Sequence, residues 1–274
     1  MVSQVYLGSN VASTVDRAYL GSTIIFQREA NDADVQNLLD TATSKGYSLP
    51  SQTTIDALNT FFTTLKSINA WTRLERLYIL VTDGDENFAL LNAKSPSDLE
   101  PVNNGVSFTS LEGFTGNGSD EIDLNFTALD LSNYSSTSGS YGVYVRAIGT
   151  LNSYWLGAGP NDQIRRNNSA NVTPSLRSNN ISYTAVLPLG LYNLSRSNDS
   201  SLSLFINDSI TQTSGSTSST TPNPNFALFG RLDDPAGKSD ATLGLFYAGG
   251  DLSDIKNDFY NAVQTYMTAL GANV

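Results

Sequence analysis

The hydrophobic pattern is sharpest over residues 241–271, ATLGLFYAGGDLSDIKNDFYNAVQTYMTALG. Leu243, Leu245 and Tyr247 alternate with Gly244 and Phe246, a period of two with apolar residues on both faces, as in a strand packed on both sides. Gly249-Gly250 breaks the run, and Asp251 or Ser253 is placed to cap a following helix by accepting its free amide protons. Ile255, Phe259, Val263, Tyr266 and Leu270 then recur at steps of four, four, three and four, one face of a helix that Gly271 stops. Burial of five such side chains contributes roughly 8–15 kcal/mol before entropy is subtracted. A helix with that stripe docks on something, and the strand before it points to a sheet.

Earlier in the chain the period is again helical. Residues 33–45 place Val35, Leu38, Leu39 and Ala42 on one face, and Gly46 ends them. Ser51 caps a second helix, in which Ile55, Leu58, Phe61, Phe62, Leu65 and Ile68 form a stripe too broad for a coiled-coil seam. A globular helix pair is the expectation. Ahead of it, Val5-Tyr6-Leu7-Gly8-Ser9 returns as Ala18-Tyr19-Leu20-Gly21-Ser22, among β formers such as Val11, Val15, Ile24 and Phe26. This reads as a small β-ribbon over residues 1–27. A two-stranded ribbon is marginal alone, so it either folds onto its own domain or anchors on a neighbouring subunit.

From Trp71 onward the pattern turns to β. Short strands are expected at 76–81, 88–93, 106–111, 120–126, 141–148, 153–156, 163–166, 181–187, 191–195, 202–206, 226–231 and 242–247. Residues 113–118, GFTGNG, join two of them, with Asn117-Gly118 as a tight-turn signal. The polar stretches 132–140, 167–180 and 208–225 read as loops. A dozen short strands about ten residues apart predict an antiparallel sandwich or barrel. The expected organisation is a ribbon (1–27), a helical linker segment (28–70), and a β-sandwich with a C-terminal helix (71–274).

Composition narrows the chemistry. Cysteine and histidine are both absent from the 274 residues, which removes disulfides, thiol nucleophiles, Ser-His-Asp triads and the usual zinc sites. The net charge of −11, with no basic run longer than Arg165-Arg166, argues against nucleic acid as a partner. No apolar run approaches the ~18 residues of a membrane span, so no membrane insertion is expected. The opening MVSQVYLGSN has neither the basic nor the apolar region of a secretory signal. Asn-X-Ser/Thr triplets at Asn117, Asn125, Asn133, Asn171, Asn180 and Asn193 are then by-products of composition rather than glycan sites. Only 15% of residues are charged, and Ser, Thr and Asn supply most of the polar surface.

Three constellations offer chemistry. Glu121-Ile122-Asp123-Leu124-Asn125 resembles the active strand of the glucanases that share the concanavalin-like jelly roll, E-I-D-x-(x)-E. There, alternate carboxylates act as nucleophile, helper and acid/base, and retaining hydrolysis needs two carboxyls about 5–5.5 Å apart. Glu121 and Asp123 fall on one strand face, but Asn125 or Phe126 stands where the last acid belongs, so no proton donor is left. Asp83-Gly84-Asp85-Glu86-Asn87 begins like a calcium loop, with Phe88 in place of the required glycine and Lys94 in place of the bidentate glutamate; an acidic β-turn explains it better, and a calcium site of a non-helical-loop kind, as some lectin-like sandwiches hold at strand ends, stays open. Tyr154 and Trp155 could stack on a sugar ring as glycan contacts, although in a strand-rich chain a core or rim role competes. No P-loop or dinucleotide fingerprint is present.

Residues 71–118, WTRLERLYILVTDGDENFALLNAKSPSDLEPVNNGVSFTSLEGFTGNG, resemble a stretch that recurs in structural proteins of tailed bacteriophages, where it joins a lead helix to a concanavalin A-like (laminin-G-like) jelly roll. The closing GLFYAGGDLSDIKNDFYNAVQTYMTALG resembles the last strand and terminal helix of the same domains, and the YLGS repeats are similar to those heading many phage virion proteins. The resemblance implies a mainly β fold: a concanavalin A-like jelly-roll sandwich with an N-terminal β-ribbon, a preceding helix pair and a C-terminal helix. It also implies a non-enzymatic, homo-oligomeric virion component assembled in the bacterial host cytoplasm: a tail-fibre, head-fibre, adaptor or decoration subunit. Tyr6, Gly8, Tyr19 and Gly21 of the repeats are then the candidates for contact with other virion proteins, and host surface glycans are candidate partners of the sandwich. No cofactor or metal is expected. The alternative is a carbohydrate-binding lectin or a glycanase on the same scaffold.

Overall fold

The structure, a computed structural model, describes residues 17–20, 23–27, 30–150, 152–168, 171–177, 181–214 and 224–274. An antiparallel ribbon of β1 (Arg17–Leu20) and β2 (Thr23–Gln27) precedes helices α1 (Ala33–Lys45) and α2 (Gln52–Ser67). Next come β3 (Leu74–Tyr78), the one-turn α3 (Glu86–Ala89), and the short strands β4 (Val102–Asn103), β5 (Ser107–Thr109), β6 (Gly113–Thr115) and β7 (Ile122–Asp123). Longer strands follow: β8 (Gly139–Ala147), β9 (Ser153–Gly157), β10 (Asp162–Asn168), β11 (Asn171–Leu176), the short β12 (Tyr183–Thr184), β13 (Gly190–Asn198), β14 (Ser201–Ile206) and β15 (Ser209–Ser214). The chain closes on β16 (Ala227–Leu228), β17 (Thr242–Gly249) and α4 (Lys256–Ala269).

Two antiparallel sheets lie face to face. The inner sheet runs β15-β14-β13-β8-β17-β6-β5, with β3 also paired to β17, and the outer sheet runs β12-β11-β10-β9-β16-β7-β4. Their facing sides enclose one apolar core that includes Phe114, Tyr141, Val143, Trp155, Ile164 and Phe246. The far side of the inner sheet is covered in turn: Leu77, Tyr144, Leu245 and Tyr247 pack with Leu58, Phe61, Phe62, Phe259, Val263 and Tyr266 of α2 and α4. Helices α1 and α2, which the sequence places in the 28–70 linker segment, thus share a core with the sandwich.

Strand β17 shows why both its faces are apolar. Leu243 and Phe246 enter the inter-sheet core, whereas Leu245 and Tyr247 meet the helices. Leu243 and Leu245 would share a face in a regular strand; the pairing with β8 shifts register between them. That bulge sits at Gly244, where a Cβ would approach Val81 Cγ2 to 2.9 Å, so the bare backbone allows the close approach.

Helices α1 and α2 start on side-chain caps. Asp32 and Ser51 accept amide protons at the starts of α1 and α2, and Gly46 takes the left-handed conformation after α1. At the end of α4, Gly271 at φ +66° and the bonds Ala272 N–H to Met267 O and Gly271 N–H to Thr268 O form a Schellman motif. The expected cap at Asp251 or Ser253 is corrected: α4 begins after Ile255, without a side-chain cap, and Asp251 instead accepts from Ser253 N and Oγ at 3.0 and 2.8 Å. Its short side chain closes its own turn before the helix starts.

Three other expectations change. The strand expected at 88–93 is replaced by α3, because Asp85 Oδ1 accepts from Phe88 N at 2.9 Å and starts a helical turn there. Residues 113–115, read as a connection, form β6 against Thr242 and Leu243. The polar stretches 167–180 and 208–225 contain β11 and β15. Strand β15 is the edge of the inner sheet and β11 lies one short strand from the edge of the outer one, positions where main-chain pairing needs little apolar side chain.

Candidate functional site

The far face of the outer sheet carries the polar groups that the fold does not bury under helices. Its shape depends on a bulge in β9. Arg165 pairs with Tyr154 and Ile164 with Leu156, so Trp155 is the extra residue. Trp155 and Leu156 both turn into the inter-sheet core, and Tyr154 turns outward. Trp155 is fully buried, with its ring edge-on to Tyr192 at 4.9 Å and its Nε1–H donating to Ile148 O at 3.3 Å.

Tyr154 is only 2% exposed although it leaves the core, because residues 231–238 fold over it. Its N–H donates to Gly237 O at 2.9 Å and its Oη donates to Asp234 Oδ2 at 2.8 Å. A Cβ on Gly237 would stand 2.1 Å from the tyrosine ring, and one on Gly157 would stand 2.1 Å from Arg231 Cγ, so two glycines let the segment lie flat on the sheet. Arg231 donates from Nη1 to Tyr154 Oη (3.3 Å) and to Gln163 Oε1 (3.1 Å), and holds Asp233 through Nε and Nη2, both at 2.8 Å. The guanidinium carbons of Arg231 and Arg165 lie 4.9 and 5.1 Å from the Tyr154 ring centroid. Burial, with the bond to Asp234, raises the Tyr154 hydroxyl above its ordinary pKa against the pull of the two arginines.

The glycan-contact candidates are therefore corrected. Neither Tyr154 nor Trp155 presents an open ring face: one is roofed by the 231–238 segment and the other fills the core. What remains at the surface beside Tyr154 is the partly exposed Arg165. Arg165 and Arg231 belong to the site but had no local signal; residue 231 reaches Tyr154 from 77 positions away.

The acidic strand lies on the same sheet. Lys238 ion-pairs with Glu121 at 2.6 Å and also donates to Arg231 O at 3.1 Å. Asp123 Oδ1 accepts from Asn125 N at 2.8 Å and from Asn225 Nδ2 at 3.1 Å. Asn125, in the place of the missing acid, donates from Nδ2 to Glu100 O at 2.5 Å. Both carboxylates are engaged in holding loops. In the 83–87 turn, Asp83 Oδ1 accepts from Ser51 N and Asp85 Oδ2 from Ser48 N, at 3.0 and 2.7 Å. These acids tie the turn to the start of α2, and among the described residues no cluster of three or more potential ligands could hold a metal ion.

A second polar cluster joins the two sheets at one end. Asp162, fully buried at the start of β10, accepts from Tyr134 Oη at 2.5 Å and from Arg177 N at 2.8 Å. Arg196 of β13, also fully buried, donates from Nε and Nη2 to Leu176 O at 3.2 and 3.1 Å. Burial pushes the Asp162 carboxyl up to about 7, against the Tyr134 and Arg177 hydrogen bonds and the charges of Arg177 and Arg196.

Of the assembly candidates, Tyr6, Gly8 and Gly21 lie outside the described residues, and Tyr19 lies on β1, paired with Ile24 next to a register shift.

No protein-family model and no curated protein sequence matches the chain. Solved structures do match it in shape. The botulinum neurotoxin serotype D binding domain is 12% identical with a TM-score of 0.52, over 70% of this chain and 52% of that one. A mutant Trypanosoma rangeli sialidase displaying trans-sialidase activity is 11% identical, TM-score 0.52, over 78% of this chain and 39% of that one. Botulinum neurotoxin type C is 12% identical, TM-score 0.51, over 72% of this chain and 53% of that one. The chain spans about half the length of the toxin chains and two fifths of the sialidase. At these identities the likeness establishes the fold: a lectin-like, jelly-roll β-sandwich.

Proposed function

We propose that this chain is a non-catalytic, glycan-binding sandwich module that serves as a structural subunit of a bacteriophage virion. The observation that carries the binding half is the polar face around Tyr154, Arg165 and Arg231, organised on the outer sheet, whose far side does not pack under the helices. Two fold neighbours lend it context: cell entry of the type C neurotoxin depends on interaction with two ganglioside molecules, and the Trypanosoma rangeli protein is a sialidase. The non-catalytic half rests on Glu121 and Asp123 being tied into an ion pair and a turn, with Asn125 in the acid's place. The virion setting rests on the phage-like stretches at 71–118 and at the C-terminus. In that setting the N-terminal ribbon contacts other virion proteins, the subunit is homo-oligomeric, and the sandwich contributes to attachment at the host surface. A net charge of −11 argues against nucleic acid as the partner. No helix among the described residues is long and apolar enough to cross a membrane.

On a glycan array the purified protein is expected to bind, and a reducing-sugar assay on the bound glycan is expected to show no release. Turnover that Glu121→Gln abolishes would overturn the non-enzymatic reading. Mass spectrometry of CsCl-purified particles is expected to find the protein; its absence would sink the virion setting. Deletion of residues 1–27 should leave a folded domain that no longer enters particles, and if incorporation survives, the ribbon is not the anchor.

A further inference from the structure

We propose that the outer-sheet site selects acidic sugars, with the guanidinium of Arg165 as the receptor for the ligand's carboxylate. This rests on the glycan-binding reading above and names the ligand class for it.

The arginines of the surface are largely spoken for. Arg73 pairs with Asp254, Arg76 with Asp98, Arg146 with Glu112, and Arg231 with Asp233. Arg165 differs. Among the described residues it has no carboxylate partner, its Nε is buried without a hydrogen-bond partner, and the side chain as a whole is partly exposed. A guanidinium with no carboxylate beside it keeps an uncompensated charge, and a ligand oxyanion at its exposed part would supply the missing partner.

The surroundings fit an acid carried on a sugar. Arg165 rests on the Tyr154 ring, which is itself clamped by Asp234, Gly237 and Arg231, so the fork is held on a rigid base. A planar guanidinium matches a carboxylate bidentately, and such charge-assisted bonds are the strong ones. Across β11, Thr173 lies opposite Arg165 in register, and its Oγ1 accepts from Asn167 Nδ2 at 2.9 Å, leaving the hydroxyl proton to donate. Stacking is closed off because Tyr154 is roofed, so recognition here must come from charge and hydrogen bonds. That disfavours neutral sugars, which depend on aromatic faces and hydroxyl bonds alone.

The test is isothermal titration of the full-length protein with matched probes: 3′-sialyllactose against lactose, and hyaluronan tetrasaccharide against chitotetraose, with glucose 6-phosphate as a phosphate-bearing control. At least one carboxylated probe is expected to bind tenfold or more tightly than its neutral counterpart. Arg165→Gln should erase that difference while circular dichroism and the melting temperature stay unchanged, and Arg165→Lys should restore only part of it, since an ammonium cannot fork. Equal loss for acidic and neutral probes in Arg165→Gln, or none, would overturn the assignment of Arg165. Binding of neutral probes with no acidic preference would overturn the acidic class and leave the glycan module standing. Preference for the phosphate alone would overturn the carboxylate assignment. If no sugar binds, the underlying reading fails and the proposal with it.

Discussion

Phe259→Asp is expected to unfold the domain. Phe259 is fully buried in the seam between α4 and the inner sheet, its ring edge-on to Tyr247 at 4.7 Å. Truncating a buried Phe costs about 3–5 kcal/mol, and burying a carboxylate with no cation beside it adds several more. A domain of ordinary stability has only about 5–15 kcal/mol to lose. The seam is shared: Tyr266 of the same helix lies 5.2 Å from Phe61 of α2 and donates its Oη to Val81 O at 2.8 Å. Loss of α4 therefore uncovers α2 as well. Far-UV circular dichroism and urea unfolding should show no cooperative transition for Phe259→Asp. Lys256→Gln, at the partly exposed start of the helix, should keep the wild-type midpoint. A cooperative transition in Phe259→Asp would mean that the sandwich stands without its helical layer.

The second large effect concerns pH. Asp162 has a folded pKa pushed up to about 7 by burial, against the ordinary 3.8 of an aspartate in the unfolded chain. Between those values the folded state holds a proton that the unfolded state releases, so stability from this group is fully present below about pH 4. It falls as pH rises to about 7 and is level beyond. The span corresponds to a loss on the order of 4 kcal/mol, since each pKa unit is about 1.4 kcal/mol. Asp162→Asn is neutral throughout and keeps an oxygen to accept from Tyr134 and from Arg177 N. Wild type is expected to melt at a higher temperature at pH 5 than at pH 8, and Asp162→Asn should flatten that difference. Asp32, Asp233, Asp254 and Glu100, all held below their ordinary values, act in the opposite direction at lower pH, so pH 5 is the sensible lower limit. Identical profiles for the two proteins would show that Asp162 stays ionised in its network.

The site was legible only in outline. Tyr154 and Trp155 stood out as a pair, and the structure does place Tyr154 at the polar face, but the two neighbours point in opposite directions. A strand pattern assigns faces by alternation, and the extra residue at Trp155 breaks that count. Glu121 and Asp123 shared a face as expected, yet their partners Lys238 and Asn225 come from segments more than a hundred residues later. Strands β11 and β15 were missed for a related reason. Near a sheet edge the pairing is made by the backbone, and Asn, Ser and Thr side chains there look the same as those of a loop.

What the sequence by itself determined is the local order: α1 with its stop at Gly46, α2 with its cap at Ser51, α4 with its stop at Gly271, and a final strand apolar on both faces. Those features depend on residues within a turn or two of one another, so periodicity and capping groups are enough to encode them. Only the tertiary structure decided what that strand packs between, sending Leu243 into the sandwich and Leu245 to the helices through the bulge at Gly244. Only it brought Arg231 and Gly237 over Tyr154, and left Arg165 beside them with no carboxylate partner among the described residues. Contacts between residues distant in sequence depend on strand order and register, and those are settled by the collective burial of the core.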